Sequence, residues 1–144
     1  PKNPEHEFGH LWEYPLRSVC TISTHDMATL RGWWEEDPEL TARYYNHVLG
    51  HWGEVPATAP GEVCEEIIRQ HLQCPSLLAI LSFQDWLSMD EDLRYPDANA
   101  ERINVPANPR HYWRYRMHLT LEELMKSHKF NEKMRGMIDE TNRY

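Results

Sequence analysis

The chain has 144 residues, of which 40% are hydrophobic and 11% aromatic, a composition that supports one globular unit with an ordinary core and excludes a disordered chain. Its formal net charge of −8 disfavours a nucleic-acid surface, which needs clustered Lys and Arg. We find no apolar run long enough to cross a bilayer and no leader before Pro1, so we expect a cytoplasmic protein that binds neither nucleic acid nor membranes.

Residues 1–17 are predicted to be an irregular lead-in that contains a zinc-like pattern. His6, Glu7 and His10 have the H-E-x-x-H spacing, in which two histidines one helical turn apart bind zinc and the Glu activates water. Two prolines and a glycine disfavour a helix here, and no third ligand is recognisable downstream. A zinc hydrolase is therefore only an alternative, and no metal or other cofactor is predicted.

A buried strand is predicted over residues 19–24, and the polar pair His25 and Asp26 follows it. Enzymes with parallel sheets keep their chemistry at the carboxyl ends of strands. Trp33 and Trp34, a little farther along, would form the wall of a pocket on which a sugar ring can stack. The structural alternative is that Asp26 caps the turn while His25 fills a pocket mouth.

A first helix is predicted from Asp37 to Trp52. Asp37 is a suitable N-cap, Pro38 suits the first helical position, and Gly53 is a natural stop. The residues that share one apolar face at helical spacing are Leu40, Tyr44, Tyr45, Val48, Leu49 and Trp52.

A second helix is predicted to begin near Pro60 and to end before Pro75. Its apolar stripe consists of Val63, Cys64, Ile67, Ile68 and Leu72. The apolar run at residues 77–81 then predicts a strand that is buried on both faces. The order strand, helices, strand predicts a parallel βαβ unit with both carboxyl ends on one rim.

Gln84 and Asp85 follow the second strand, so we expect them to lie near His25 and Asp26 in one site. For Asp85, capping of the turn that begins at Trp86 is an equal alternative.

A loop is predicted over residues 95–109, and loops on a sheet rim carry recognition more often than packing. Residues 111–116 alternate aromatic and cationic side chains, for which packing is favoured over RNA stacking because the chain is acidic. Thr120 and Glu123 predict a capping box that starts the C-terminal helices. The apolar face there consists of Phe130, Met134, Met137 and Ile138.

The three cysteines, Cys20, Cys64 and Cys74, are an odd number without C-x-x-C spacing. We expect them to be reduced structural thiols rather than a disulfide framework or a zinc ribbon.

Three sequence blocks in order resemble the 4-α-glucanotransferases (amylomaltase or disproportionating enzyme) of glycoside hydrolase family 77. The blocks are S-T-H-D-M-A-T-L-R-G-W-W at residues 23–34, L-S-F-Q-D-W-L at residues 81–87 and R-I-N-V-P-A-N-P-R-H-Y-W-R-Y-R at residues 102–116. The wording of the first block looks closest to the subgroup that contains the plant cytosolic enzyme and its bacterial relatives.

The resemblance implies an α/β fold, namely the C-terminal part of a (β/α)8 barrel with about two parallel strands and a mostly helical remainder. Within it we assign residues 1–17 to the lead-in, 18–75 to a strand plus helices, 76–118 to a strand plus rim loops and 119–144 to C-terminal helices. It also implies retaining transfer of α-1,4-glucan segments between maltooligosaccharides or longer glucans, in starch, glycogen or maltose metabolism.

The resemblance further implies individual roles. Asp26 would stabilise the transition state and His25 would donate to a substrate hydroxyl. The remaining candidate substrate contacts are Trp33, Trp34, Gln84, Asp85 and Asn104.

No block resembles the family's nucleophile Asp or its acid/base Glu, so we expect the chain to be an inactive piece of a longer enzyme that self-associates when separated from the remainder of its barrel. A non-catalytic carbohydrate-binding module that stacks sugars on Trp33, Trp34 and Trp113 is the main alternative.

Overall fold

A computed structural model describes residues 6–143, which form short helices around one two-stranded sheet. No helix in this described range is long and apolar enough to cross a lipid bilayer. The strands and α-helices are β1 (Val19–Cys20), α1 (Leu30–Glu36), α2 (Pro38–Arg43), α3 (Gly61–Gln73), β2 (Leu78–Ala79), α4 (Phe83–Leu87), α5 (Leu121–Lys126) and α6 (His128–Glu140).

The two strands are parallel, as the order of elements predicts. Val19 pairs with Leu78 and Cys20 with Ala79, and the backbone N–H of Ile80 donates to the carbonyl of Cys20 at 2.9 Å. The connection between the strands contains α1, α2 and α3. The βαβ prediction is confirmed, and the segments that follow the two strands leave the sheet at the same end.

The prediction that residues 77–81 are buried on both faces is wrong for this chain. Leu77, Leu78 and Ile80 are 65%, 51% and 60% exposed, and Val19 is 55% exposed. Cys20 is buried, and Ala79 and Leu81 are partly buried against the core. Within the described residues the sheet has two strands, so no neighbouring strand or helix covers its outer apolar side chains.

The core is organised around α3, whose predicted stripe is confirmed. Its five stripe residues are all buried, with Cys64 and Ile68 at 0% exposure. A tight approach explains Gly61 at the start of this helix, because a Cβ there would lie 2.7 Å from the carbonyl oxygen of Met89. The residues that pack with α3 include Leu30, Trp34, Leu87, Phe130 and Met137. All three cysteines are free and buried.

The first predicted helix begins as expected but ends early. The Asp37 side chain caps α2 by accepting from the N–H groups of Glu39 and Leu40 at 3.1 Å. One π-helical turn, Tyr44–Val48, follows, and the chain then turns at Gly50 with φ +72. Trp52, predicted to share the buried face, is 75% exposed.

Two short helices, α1 and α4, were not predicted. Thr29 caps α1 by accepting from the N–H of Gly32, and Ser82 caps α4 by accepting from the N–H of Asp85. Helices of seven and five residues span too few turns for an apolar period to be recognised.

The C-terminal helices follow the prediction. Thr120 and Glu123 form the capping box of α5, with the Glu123 carboxylate accepting from the Thr120 N–H at 2.6 Å. In α6, Phe130 and Met137 are 3% and 1% exposed. Met137 is therefore part of the core and Met134 packs partly against it, as the predicted apolar face requires.

The fold predicts that the stability of this chain depends on the protonation of His71. Burial lowers the pKa of His71 below its ordinary value, although its Nδ1–H donates to the Ile67 carbonyl at 2.7 Å. The folded chain favours the neutral form of His71. The stability that depends on this neutral form is therefore fully present above about pH 6.5 and is lost as the pH falls through the pKa of His71 in the folded state.

The unfolding free energy of the His71→Gln variant should therefore fall less between about pH 7.5 and about pH 5.5 than that of the unchanged chain. The difference between the two slopes should be at most about 1.4 kcal/mol per pH unit. Urea denaturation at the two pH values measures this difference. His128→Gln, at an exposed histidine, should keep the pH dependence of the unchanged chain. An identical slope in the His71 variant would contradict the prediction.

Candidate functional site

His25 and Asp26 lie in the turn that follows β1. The N–H of Met27 donates to the Thr24 carbonyl at 3.1 Å and closes this turn. The two side chains are 54% and 52% exposed, and His25 Nε2 lies 3.4 Å from Asp26 Oδ2. The predicted strand over residues 19–24 is thus wrong in its length, because β1 ends at Cys20, and the pair reaches solvent five residues beyond the carboxyl end of this strand.

Asn104 connects this turn to the loop that follows β2 and α4. Its side-chain amide donates to Asp26 Oδ1 at 2.7 Å, and its backbone N–H donates to the His25 carbonyl at 3.1 Å. Arg102 Nε donates in turn to the Asn104 carbonyl at 3.0 Å. The structure thus brings His25, Asp26 and Asn104 together, although Asn104 is 78 residues from Asp26 along the chain.

Trp113 adds an aromatic surface beside this group. Its ring centroid lies 5.3 Å from that of His25 with an interplanar angle of 47°, and its side chain is 62% exposed. Exposed indole rings are suitable surfaces for stacking an apolar sugar face.

Gln84 and Asp85 adjoin the same turn from its buried side. Asp85 has 0% exposure, and its carboxylate accepts from the hydroxyl of Ser23 and from the N–H of Leu30. Gln84 is 5% exposed and donates to the carbonyl of Glu101 at 3.3 Å. In this chain both side chains therefore hold protein segments in place, and Asp85 does not cap the turn at Trp86, because Ser82 caps α4.

Trp33 and Trp34 do not present their faces to solvent beside Asp26. Trp34 is 1% exposed, and its Nε1–H donates to the Pro56 carbonyl at 2.8 Å. Trp33 is partly buried against the core, in an edge contact with Tyr44 at 5.3 Å. The predicted sugar-stacking role is thus corrected for Trp34, which lies on the core side of α1.

A buried ion pair supports the site and was not predicted. Arg31 and Glu101 are 5% and 2% exposed, and Arg31 Nη1 lies 2.6 Å from Glu101 Oε1. Thr29 Oγ1 donates to Glu101 Oε2 at 2.9 Å. Burial raises the pKa of Glu101 above its ordinary value, while Arg31 and Thr29 act in the opposite direction. The signal in the sequence that could have indicated this pair is Arg31 itself, a single cation among apolar neighbours. Such a cation requires a charged partner when it is buried.

The zinc-like pattern does not form the site that it predicts. Residues 6–10 are not helical, and Glu7 binds the guanidinium of Arg43 through bonds of 2.7–3.0 Å. His6, His10 and Glu13 offer donor atoms within 4.8 Å of one another, a set that suits a divalent transition metal. This group is at the surface, where such side chains gather without a metal, so no metal role is assigned.

A cavity of about 770 Å³ lies beside the lead-in, but it contains none of the residues predicted to contact sugar. Its lining includes Phe8, Trp12, Tyr44 and Cys74. The predicted sugar contacts that reach solvent lie instead beyond the end of the sheet, where the carboxylate of Asp26, the imidazole of His25 and the amide of Asn104 lie together. Such a group can accept and donate hydrogen bonds to neighbouring hydroxyls of a polyol.

Comparison with known proteins gives concordant results. The family model described as 4-alpha-glucanotransferase matches residues 1–121. The chain is 38% identical over 143 residues to the 4-alpha-glucanotransferase DPE2 of Oryza sativa subsp. japonica, covering 99% of this chain and 15% of that protein. It is 31% identical over 125 residues to a 4-alpha-glucanotransferase of Chlamydia pneumoniae, covering 86% of this chain and 23% of that protein.

Among solved structures, an amylomaltase from Streptococcus agalactiae in complex with acarbose superposes with a TM-score of 0.64 at 21% sequence identity. This match covers 90% of the chain and 23% of the amylomaltase. The likeness supports the fold, namely part of a (β/α)8 barrel with two parallel strands and a mostly helical remainder. The chain thus spans less than a quarter of the length of these relatives.

Proposed function

The chain belongs to the 4-alpha-glucanotransferase family, glycoside hydrolase family 77, and we propose that it supplies the transition-state-stabilising carboxylate of such an enzyme. The proposed reaction is retaining transfer of α-1,4-glucan segments between maltooligosaccharides or longer glucans. The observation that carries the proposal is the fixed, half-exposed Asp26 carboxylate, held by Asn104 at 2.7 Å next to His25.

Retaining transfer explains why a fixed carboxylate is useful at this place. A nucleophilic carboxylate attacks the anomeric carbon while a second carboxyl protonates the leaving oxygen, and the transition state resembles an oxocarbenium ion. Hydrogen bonds from the adjacent sugar hydroxyl to a fixed anion strengthen as positive charge develops at that carbon. In this proposal Asp26 accepts these bonds, and His25 donates to a substrate hydroxyl.

The nucleophile and the acid/base carboxyl are proposed to lie in parts of the parent protein outside this sequence, so the chain alone is expected to be inactive. The test is to incubate the full-length protein with maltose or maltotriose, each with and without glycogen, and to follow both glucose release and the appearance of longer glucan chains. Absence of both products would refute the proposal. A carbohydrate-binding module, in contrast, would bind maltooligosaccharides through this chain alone without forming either product.

The open sheet also predicts that the isolated chain self-associates. Val19, Leu77, Leu78 and Ile80 expose apolar side chains on a two-stranded sheet, and such surfaces and edges pair with other copies when nothing covers them. In the parent protein, the remainder of the barrel is proposed to cover them.

We expect light scattering coupled to gel filtration to show dimers or larger species for the isolated chain at micromolar concentration. Leu78→Lys combined with Ile80→Lys should shift the chain toward monomer, since charges on sheet faces and edges oppose pairing. Met125→Lys changes an exposed apolar residue outside the sheet and should leave the mass distribution unchanged. A monomeric chain without substitutions would refute the prediction.

A further inference from the structure

Two segments, one from Asp26 to Arg31 and one from Glu101 to Asn104, contact each other at two places. One contact is exposed to solvent and the other is buried. At the exposed end, Asn104 holds Asp26. At the buried end, the Glu101 carboxylate accepts from Arg31 at 2.6 Å and from Thr29 at 2.9 Å. Thr29 follows Asp26 by three residues and Glu101 precedes Asn104 by three residues. The start of the first segment therefore faces the end of the second, and the end of the first faces the start of the second.

The buried end is completed by backbone acceptors. Arg31 Nη1 also donates to the Tyr95 carbonyl at 2.5 Å, and Nη2 donates to the Pro96 carbonyl at 3.4 Å. Gln84 Nε2 donates to the carbonyl of Glu101 at 3.3 Å. The guanidinium thus binds both the carboxylate and the loop that leads to it, which fixes where the Glu101 segment lies relative to α1.

A buried ion pair is weak evidence for stability, because desolvation of the two charges offsets much of their attraction. Its geometry is more informative. The planar guanidinium binds partners in fixed directions, and both charges here are less than a tenth exposed. Such a pair restricts the two segments to one arrangement.

We propose that Arg31 and Glu101 are a positioning pair for the reaction, which sets the orientation of the Asp26 carboxylate through Thr29 on one segment and Asn104 on the other. This inference rests on the proposed role of Asp26. Neither residue of the pair touches substrate, since both side chains are buried behind the turn. Their effect on turnover is exerted through the distance and angle between Asn104 and Asp26.

The test uses Glu101→Gln in the full-length protein. Glutamine keeps the size of the side chain and an oxygen that can accept from Arg31, but it removes the charge and so weakens the bonds to Arg31 and Thr29. We expect kcat to fall by about tenfold to a hundredfold with KM changed by less than about threefold, because small displacements of a catalytic group have effects of this size. Turnover is compared at equal concentrations of folded protein, measured by circular dichroism. Arg31→Lys, which keeps the charge but loses the fork, replaces it if Glu101→Gln does not fold.

A double-mutant cycle with Asp26→Asn separates positioning from a general structural effect. If Glu101 acts through Asp26, Glu101→Gln should reduce the residual turnover of the Asp26→Asn protein by less than about twofold. Equal losses in both backgrounds, or no loss in the original background, would overturn the positioning role alone. Full turnover of the Asp26→Asn protein would overturn the role of Asp26 and this inference together. Glu7→Gln breaks an exposed pair with Arg43 and should leave turnover unchanged.

Discussion

Replacing Asp26 with asparagine in the full-length protein is expected to lower kcat by several orders of magnitude while KM changes much less. Asparagine has the shape of aspartate, and its side-chain oxygen can still accept from the Asn104 amide, which now lies 2.7 Å from Asp26 Oδ1. The substitution therefore removes the negative charge while keeping the local geometry. Because that charge interacts most strongly with the positive charge of the transition state, its loss affects turnover more than binding.

The assay is transfer from maltotriose, with kcat and KM taken from initial rates of glucose release. Asp139→Asn supplies a matched control, since Asp139 is an exposed residue of α6 and its change should leave both constants as they were. Near-normal turnover of the Asp26→Asn protein would refute the assigned role. A rise in KM with unchanged kcat would indicate that Asp26 only binds substrate.

Much of the fold was predictable because its signals are local. The five stripe residues of α3 recur at helical spacing, and all of them are buried. The caps at Asp37 and Thr120 need only residues within one turn. The parallel pairing of β1 and β2 follows from the order of elements along the chain.

The support of the candidate site was not predictable in the same way. A polar residue at the end of a strand faces either solvent or the interior, and local sequence does not distinguish the two directions. His25 and Asp26 face solvent, whereas Gln84 and Asp85, at the corresponding place after β2, are buried. The difference arises because α1 and the loop around Glu101 pack over the second pair.

These contacts divide the site into two layers with different physical demands. The exposed layer, His25, Asp26 and Asn104, must keep hydrogen-bonding capacity free for a substrate. The buried layer must satisfy every polar group that it removes from water, and it does so mainly through the two carboxylates of Asp85 and Glu101. The family resemblance assigns residues of both layers to substrate contact. Their burial in the structure distinguishes the residues that can reach a substrate from those that support the site.

Asp85 gives the sharpest test of this separation. Its carboxylate accepts from the Leu30 N–H at 2.8 Å and from the Ser23 hydroxyl, so it connects the segment that follows β1 to the start of α1. Asparagine at this position can still accept from the Leu30 N–H, but it replaces two charge-assisted hydrogen bonds with bonds between neutral groups, and its amide needs the Ser23 hydroxyl to turn and accept. We expect Asp85→Asn to lower the unfolding free energy by about 1–3 kcal/mol, measured by urea denaturation of the chain. Asp92→Asn, at an exposed residue, should change it little.

The same substitution in the full-length protein distinguishes support from substrate contact. If Asp85 only holds the two segments, KM should stay close to its original value while the fraction of folded protein falls, because the carboxylate does not reach the sugar. If Asp85 contacts glucan, as the family resemblance implies, KM should rise and the unfolding free energy should remain unchanged. That second result would require the segment around Leu30 to move when substrate binds, since Asp85 has 0% exposure in the structure described above.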